Sequence, residues 1–153
     1  MVTLSAILQA PIQAVLRPSM WLPFIRSLHS HTETWSIDCT KTEFISSILT
    51  AVHTVMEQED NKEFWDIHKV EKDGTFIRIF AFTRAEWLDV MEISYKDGHY
   101  EAHSFSSGVV PLIVPFAFIC NLALFYTPFL DTGLNKERLK RLRDALSVNV
   151  TVV

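Results

Sequence analysis

Glycine is scarce in this chain, four in 153 residues, and cysteine scarcer still, with two. No phosphate loop, dinucleotide fingerprint, nucleophile motif or zinc signature is present, which sets aside the enzyme classes that depend on them. Cys39 and Cys120 lie far apart without metal-type spacing and read as two separate small apolar side chains in a reducing compartment. Positive charge is short as well. Fourteen Lys and Arg against eighteen Asp and Glu leave a net charge of -4, which argues against a polyanion-binding surface and against nucleic acid as a partner.

Two further absences are local. No acid precedes Glu33, so the first 32 residues carry only Arg17 and Arg26, and residues 109–130 carry no charge at all. An acid-free N-terminus resembles an organelle presequence, but it lacks a compact apolar region with a small-residue cleavage site. The expectation is an intracellular chain, of cytoplasm or organelle, rather than a secreted one.

What is present fits one domain over residues 1–153, long enough to bury a core without staples. Leu4, Ile7, Leu8, Ile12 and Val15 recur at helical spacing around Pro11, and Trp21, Leu22, Ile25 and Leu28 form a second stripe, so residues 1–34 read as an N-terminal helical segment. The first stripe predicts a short helix kinked at Pro11; the second predicts a helix packing on the body or, more sharply, lying in a membrane interface with Trp21 and the arginines at headgroup level. Thr40-Lys-Thr-Glu43 is a capping box, and Phe44, Ile45, Ile48, Leu49, Val52, Val55 and Met56 behind it make the stripe of a long helix. Asp73-Gly74 and Asp97-Gly98 sit between β-rich runs and predict hairpins. Strands are expected over about 65–71, 75–83, 87–95 and 99–105, with 36–39 as an added edge strand. The fold class is therefore α+β: an antiparallel meander of four or five strands, the long capped helix on one face and the N-terminal and apolar helices on the other.

Two-residue loops at both Asp-Gly turns pair Glu92 with His103, Val90 with Phe105, Val70 with Ile77 and His68 with Ile79. One face then carries Val70, Ile77, Ile79, Val90 and Phe105 around His68, Glu92 and His103. In a closed apolar cavity Glu92 and His103, with His68 as a third member, would make a proton-transfer group for an isomerase, cyclase or lyase acting on an apolar substrate. The plainer reading is a solvated face of alternating polar residues. A spacing of two along a strand sets side chains about 7 Å apart, long for three ligands on one ion. No metal and no cofactor are assigned.

The closing motif Asp131-x-Gly133-x-Asn135-x-x-Arg138, followed by Leu139 and a basic amphipathic helix over 131–147, comes after a capped helix, a meander and Ser104-Phe105-Ser106-Ser107-Gly108. In that order it resembles a family of small proteins from bacteria, algae and plants classed as a domain of unknown function, over about residues 38–146. The resemblance implies the fold and a structural role for Asp131, Gly133, Asn135 and Arg138, and carries no activity. This chain departs from it by lacking an Arg after the serines and by inserting residues 109–130. Physically, Gly133 suits a turn of unusual φ, Asn135 an N-cap, and Asp131 a partner for Arg138.

The inserted stretch is long enough to cross a bilayer at about 1.5 Å per residue, but Pro111, Pro115, Pro128 and Asn121 interrupt it. It reads better as a roof, with a helix from Phe116 to about Tyr126 started by Pro115. Three functions follow. The first is binding of a hydrophobic small molecule in a cavity between sheet and roof, lined by Phe105, Phe116, Phe118, Leu122 and Phe125. The second is proton transfer by His68, Glu92 and His103 in that cavity. The third is a membrane-peripheral protein or complex subunit whose apolar stretch is covered by a membrane surface or a protein partner.

Overall fold

The computed structural model describes residues 2–16, 29–58, 63–124 and 133–153. Among them the chain forms four helices and one six-stranded antiparallel sheet, an α+β fold. The helices are α1 (Leu4–Val15), α2 (Lys41–Glu57), α3 (Ala117–Ala123) and α4 (Leu134–Asp144). The strands are β1 (Ser30–Ile37), β2 (Phe64–Val70), β3 (Phe76–Phe82), β4 (Leu88–Lys96), β5 (His99–Ser106) and β6 (Val150–Val152). Their order is β2-β3-β4-β5-β1-β6, so β2 to β5 form the meander. The strand expected at 36–39 starts earlier, at Ser30, and is no edge: β5 pairs with it on one side and β6 on the other. The second N-terminal stripe, at 21–28, lies outside the described residues.

Local chemistry sets several elements directly. The Thr40 hydroxyl accepts from the Glu43 N–H, while the Glu43 carboxylate accepts from the Thr40 N–H and starts α2. Asp97 and Gly98 both take positive φ, +49° and +91°, the two-residue turn that brings Lys96 opposite His99. That turn carries the expected pairs Glu92–His103 and Val90–Phe105.

The meander departs from expectation at its other end. Val70 does pair with Ile77, but an irregularity between Ile67 and Lys69 puts Ile67, not His68, opposite Ile79. His68 is the extra residue of a bulge. On the far side of β3 the five-residue connection 83–87 sets Phe80 opposite Val90 and Arg78 opposite Glu92. Ile77 and Ile79 therefore face α2, and Phe80 takes their expected place beside Val90. The parity of that connection is invisible to a turn signal, and a shift of one residue exchanges the faces.

Each face has its own core. Toward α2 and α4, Trp35, Phe44, Trp65, Met91, Tyr100 and Leu139 are fully buried together. Toward α1 and α3, Phe80, Phe82, Leu88, Val90, Phe105 and Leu112 pack against Ala6, Ala10, Ala14 and Ala117. The apolar stretch is thus a roof over the second face, as the sequence leads one to expect, but its helix is short. Phe116 is left-handed at φ +61° rather than helical, α3 runs only over Ala117–Ala123, and the Leu124 N–H closes it onto Cys120 O. Among the described residues no helix is long and apolar enough to cross a membrane.

Candidate functional site

Register alone aligns a row of side chains across five strands: Lys69, Arg78, Glu92, His103 and Thr32. Glu92 and His103 are neighbours, as the Asp97-Gly98 turn requires. Sequence reasoning missed Arg78, whose Nε (2.9 Å) and Nη2 (2.8 Å) both reach Glu92 Oε1. A carboxylate clamped by a guanidinium has one oxygen committed to charge-assisted bonds, which suits anchoring more than proton abstraction. His103 is largely buried, its ring 5.1 Å from that of Phe105. His68 shares the face but stands on β2, exposed, stacked on Phe80 at 4.3 Å. Desolvation against that ring, then the charge of Arg78, holds its pKa below the ordinary imidazole value.

The residues expected to line a cavity do not surround one space. Phe105 is fully buried in the packed core beneath α1, whereas Phe116 and Leu122 point outward and Phe118 is half-buried beside Phe116, ring centroids 6.4 Å apart. Phe125 lies outside the described residues. An open groove of about 520 Å³ lies elsewhere, between α2 and residues 147–148, with Thr42, Ser46, Ser147 and Asp38 beside Cys39 and Val148 in its lining. It includes none of the expected residues. Among the described residues no group of three or more His, Cys, Asp or Glu is placed to hold a metal ion.

The closing motif builds a second polar centre, on the opposite side of the sheet. Gly133 has φ +82° and occupies the N-cap position of α4, which moves Asn135 from the expected cap into the first turn. There its side chain is fully buried. Its Oδ1 accepts from the Ser104 hydroxyl at 2.6 Å, and its Nδ2 donates to Ser106 Oγ and to the carbonyl of His29, each at 3.1 Å. The alternating serines of the β5 end thus exist for this amide, a link that their shared strand face could have revealed. Arg138, 1% exposed, meets Asp89 Oδ2 at 2.8 Å and Glu63 Oε1 at 2.5 Å, and Arg141 lies 3.5 Å from Glu63. Two carboxylates and two guanidiniums therefore clasp α4 to the start of β2 and to β4. Asp131, the expected partner of Arg138, lies outside the described residues; Glu63 and Asp89 went unnoticed because neither stands near the motif in sequence.

The roof carries the largest surprise. Ala6, Ala10 and Ala14 point to the sheet at 0–1% exposure, whereas Leu4 (71%), Ile7 (51%), Leu8 (66%), Ile12 (44%) and Val15 (62%) point to solvent. The stripe read from the sequence is real, but it is the outer face. Ile113, Val114, Phe116, Ile119 and Leu122 of the adjoining stretch are exposed as well. The polar side chains of the roof turn inward instead. Gln9 Nε2 donates to the carbonyls of Leu112 and Val114, Gln13 Nε2 to that of Ser107, and Asn121 holds both the N–H and the C=O of Val110.

Comparison with family models, curated proteins and solved structures yields no match to this chain.

Proposed function

We propose that this chain is an attachment protein, which seats the outer faces of α1 and residues 113–122 in an apolar partner. The observation that carries the reading is the inversion of α1, with alanines inside and large aliphatic side chains outside. A helix that needed only to cover the sheet would bury the leucines and expose the small residues. Ten large apolar side chains stand at least 40% exposed on these two adjoining elements. Each would gain about 1 kcal/mol on being covered, half or so of a full burial, for a gross gain on the order of 10 kcal/mol. Patches of this kind mark interaction surfaces.

The reading keeps the lipophilic partner expected from the sequence and moves it from inside the fold to its surface. Size-exclusion chromatography with light scattering, with and without dodecyl maltoside, tests it. The chain should bind micelles, and without detergent it should self-associate rather than elute as a 17.6 kDa monomer. A monomer in both conditions, free of detergent, would remove the proposal.

A further inference from the structure

We infer that the apolar partner is a lipid bilayer surface, with α1 lying in the plane of the interface; this rests on the attachment reading above and names its partner. The polar side chains of the roof point inward, away from the exposed face. Protein interfaces carry a polar rim and about one hydrogen bond per 100–200 Å². Here Ser5, Gln9, Gln13 and Asn121 spend their side chains on the inner side, the first two meeting at 2.8 Å and Ser5 Oγ reaching Leu112 O at 3.2 Å. The outer face is left with side chains that have nothing to hydrogen-bond. A lipid acyl region requires nothing else, whereas a folded partner would find no polar group to fix its register.

Charge points the same way. Residues 2–16 and 109–124, which form the roof, contain no charged side chain, and residues 1–32 and 109–130 together hold none of the eighteen carboxylates. The remainder holds all of them against twelve of the fourteen basic groups, so the surface that would meet headgroups is built from the segments of the chain without carboxylates. Among the described residues the one carboxylate bonded at the start of α1, that of Glu86, is buried and taken up by the Thr3 N–H at 3.1 Å and the Thr3 hydroxyl at 2.5 Å. Trp87 stands beside the roof, 43% exposed, with its indole N–H donating to Val109 O at 2.9 Å. An aromatic with an apolar body and a satisfied polar edge suits the headgroup level. With twelve residues α1 is about 18 Å long, too short to span and long enough to lie flat.

Flotation of the full chain with vesicles of phosphatidylcholine, with and without added phosphatidylserine, tests this. The wild-type chain should float with both. Leu4→Gln/Leu8→Gln/Ile119→Gln, which alters only exposed side chains, should keep its urea midpoint and lose about a hundredfold in partition. Leu8→Gln alone, should the triple variant unfold, should lose about fivefold. If the wild-type chain stays at the bottom of the gradient but forms a discrete dimer that the substitutions disperse, the bilayer is the wrong partner and the attachment reading stands. A monomer that neither floats nor binds micelles overturns both. Equal flotation of wild type and variants overturns the assignment of the face.

Discussion

A Cβ on Gly108 would stand 2.2 Å from Cγ of Asn121, so the buried carboxamide of α3 occupies the space that a side chain at 108 would need. This contact lets Asn121 reach the backbone of Val110, accepting from its N–H at 2.7 Å and donating to its C=O at 3.0 Å, and reach Gln13 Oε1 on α1 at 3.1 Å. The strand exit, α1 and α3 are tied at one point.

Gly108→Ala should therefore displace Asn121 and leave buried polar groups unpaired, with a loss of about 2–4 kcal/mol. Asn121→Ala in that background removes the clash, and a double-mutant cycle by urea denaturation should give a coupling of about 1 kcal/mol or more. Additive losses would show that the two residues act separately.

The inversion of α1 makes opposite demands on two neighbouring positions. Ala10→Leu, on the buried face, should destabilise the chain by about 1–3 kcal/mol through overpacking against the sheet. Leu8→Ala, on the exposed face, should stay within about 0.5 kcal/mol. Thermal or urea midpoints of the two variants in lipid-free buffer check this, and the reverse order would mean that the helix is turned the other way.

Arg138 should not tolerate replacement. Arg138→Met leaves Asp89 and Glu63 facing each other's side of a buried site without their shared guanidinium, at a cost of about 3–5 kcal/mol. Arg138→Lys should recover little, since a single ammonium cannot span both carboxylates as the planar fork does. Equilibrium unfolding of both variants, with Asp89→Asn added to Arg138→Met, should show partial recovery only in the double variant.

Tyr100 supplies an alkaline limit. Its hydroxyl donates to Gly74 O at 2.8 Å inside the α2-side core, and burial, then the neighbouring Tyr95, pushes its pKa up to about 12. The folded state disfavours the phenolate, so the contribution to stability is complete below the unfolded-chain pKa of about 10 and is lost as pH rises towards 12. Titration at 295 nm should show one of the three tyrosines ionising late, and Tyr100→Phe should abolish that step along with the alkaline loss of stability.

Much of the architecture was legible because it is written in short-range chemistry. The Thr40–Glu43 box places the start of α2, and two positive-φ residues at Asp97-Gly98 place Glu92 beside His103. Both features involve residues within four of one another in sequence. The polar row was only half visible for the same reason: Arg78 meets Glu92 through a strand pairing set by the five-residue connection 83–87, which carries no register signal.

The α+β class, the four meander strands, the capped helix and the apolar stripe of α1 can all be read along the chain, since each follows from periodicity or from a turn. Which side of α1 meets the sheet depends instead on packing between distant elements. Periodicity reports that a stripe exists, but it is the alanines at 6, 10 and 14 that pack over Phe80, Val90 and Phe105, and that leaves the leucines outside. The same holds for Arg138: its motif could be read along the chain, whereas the carboxylates of Glu63 and Asp89 that surround it are brought there only by the fold.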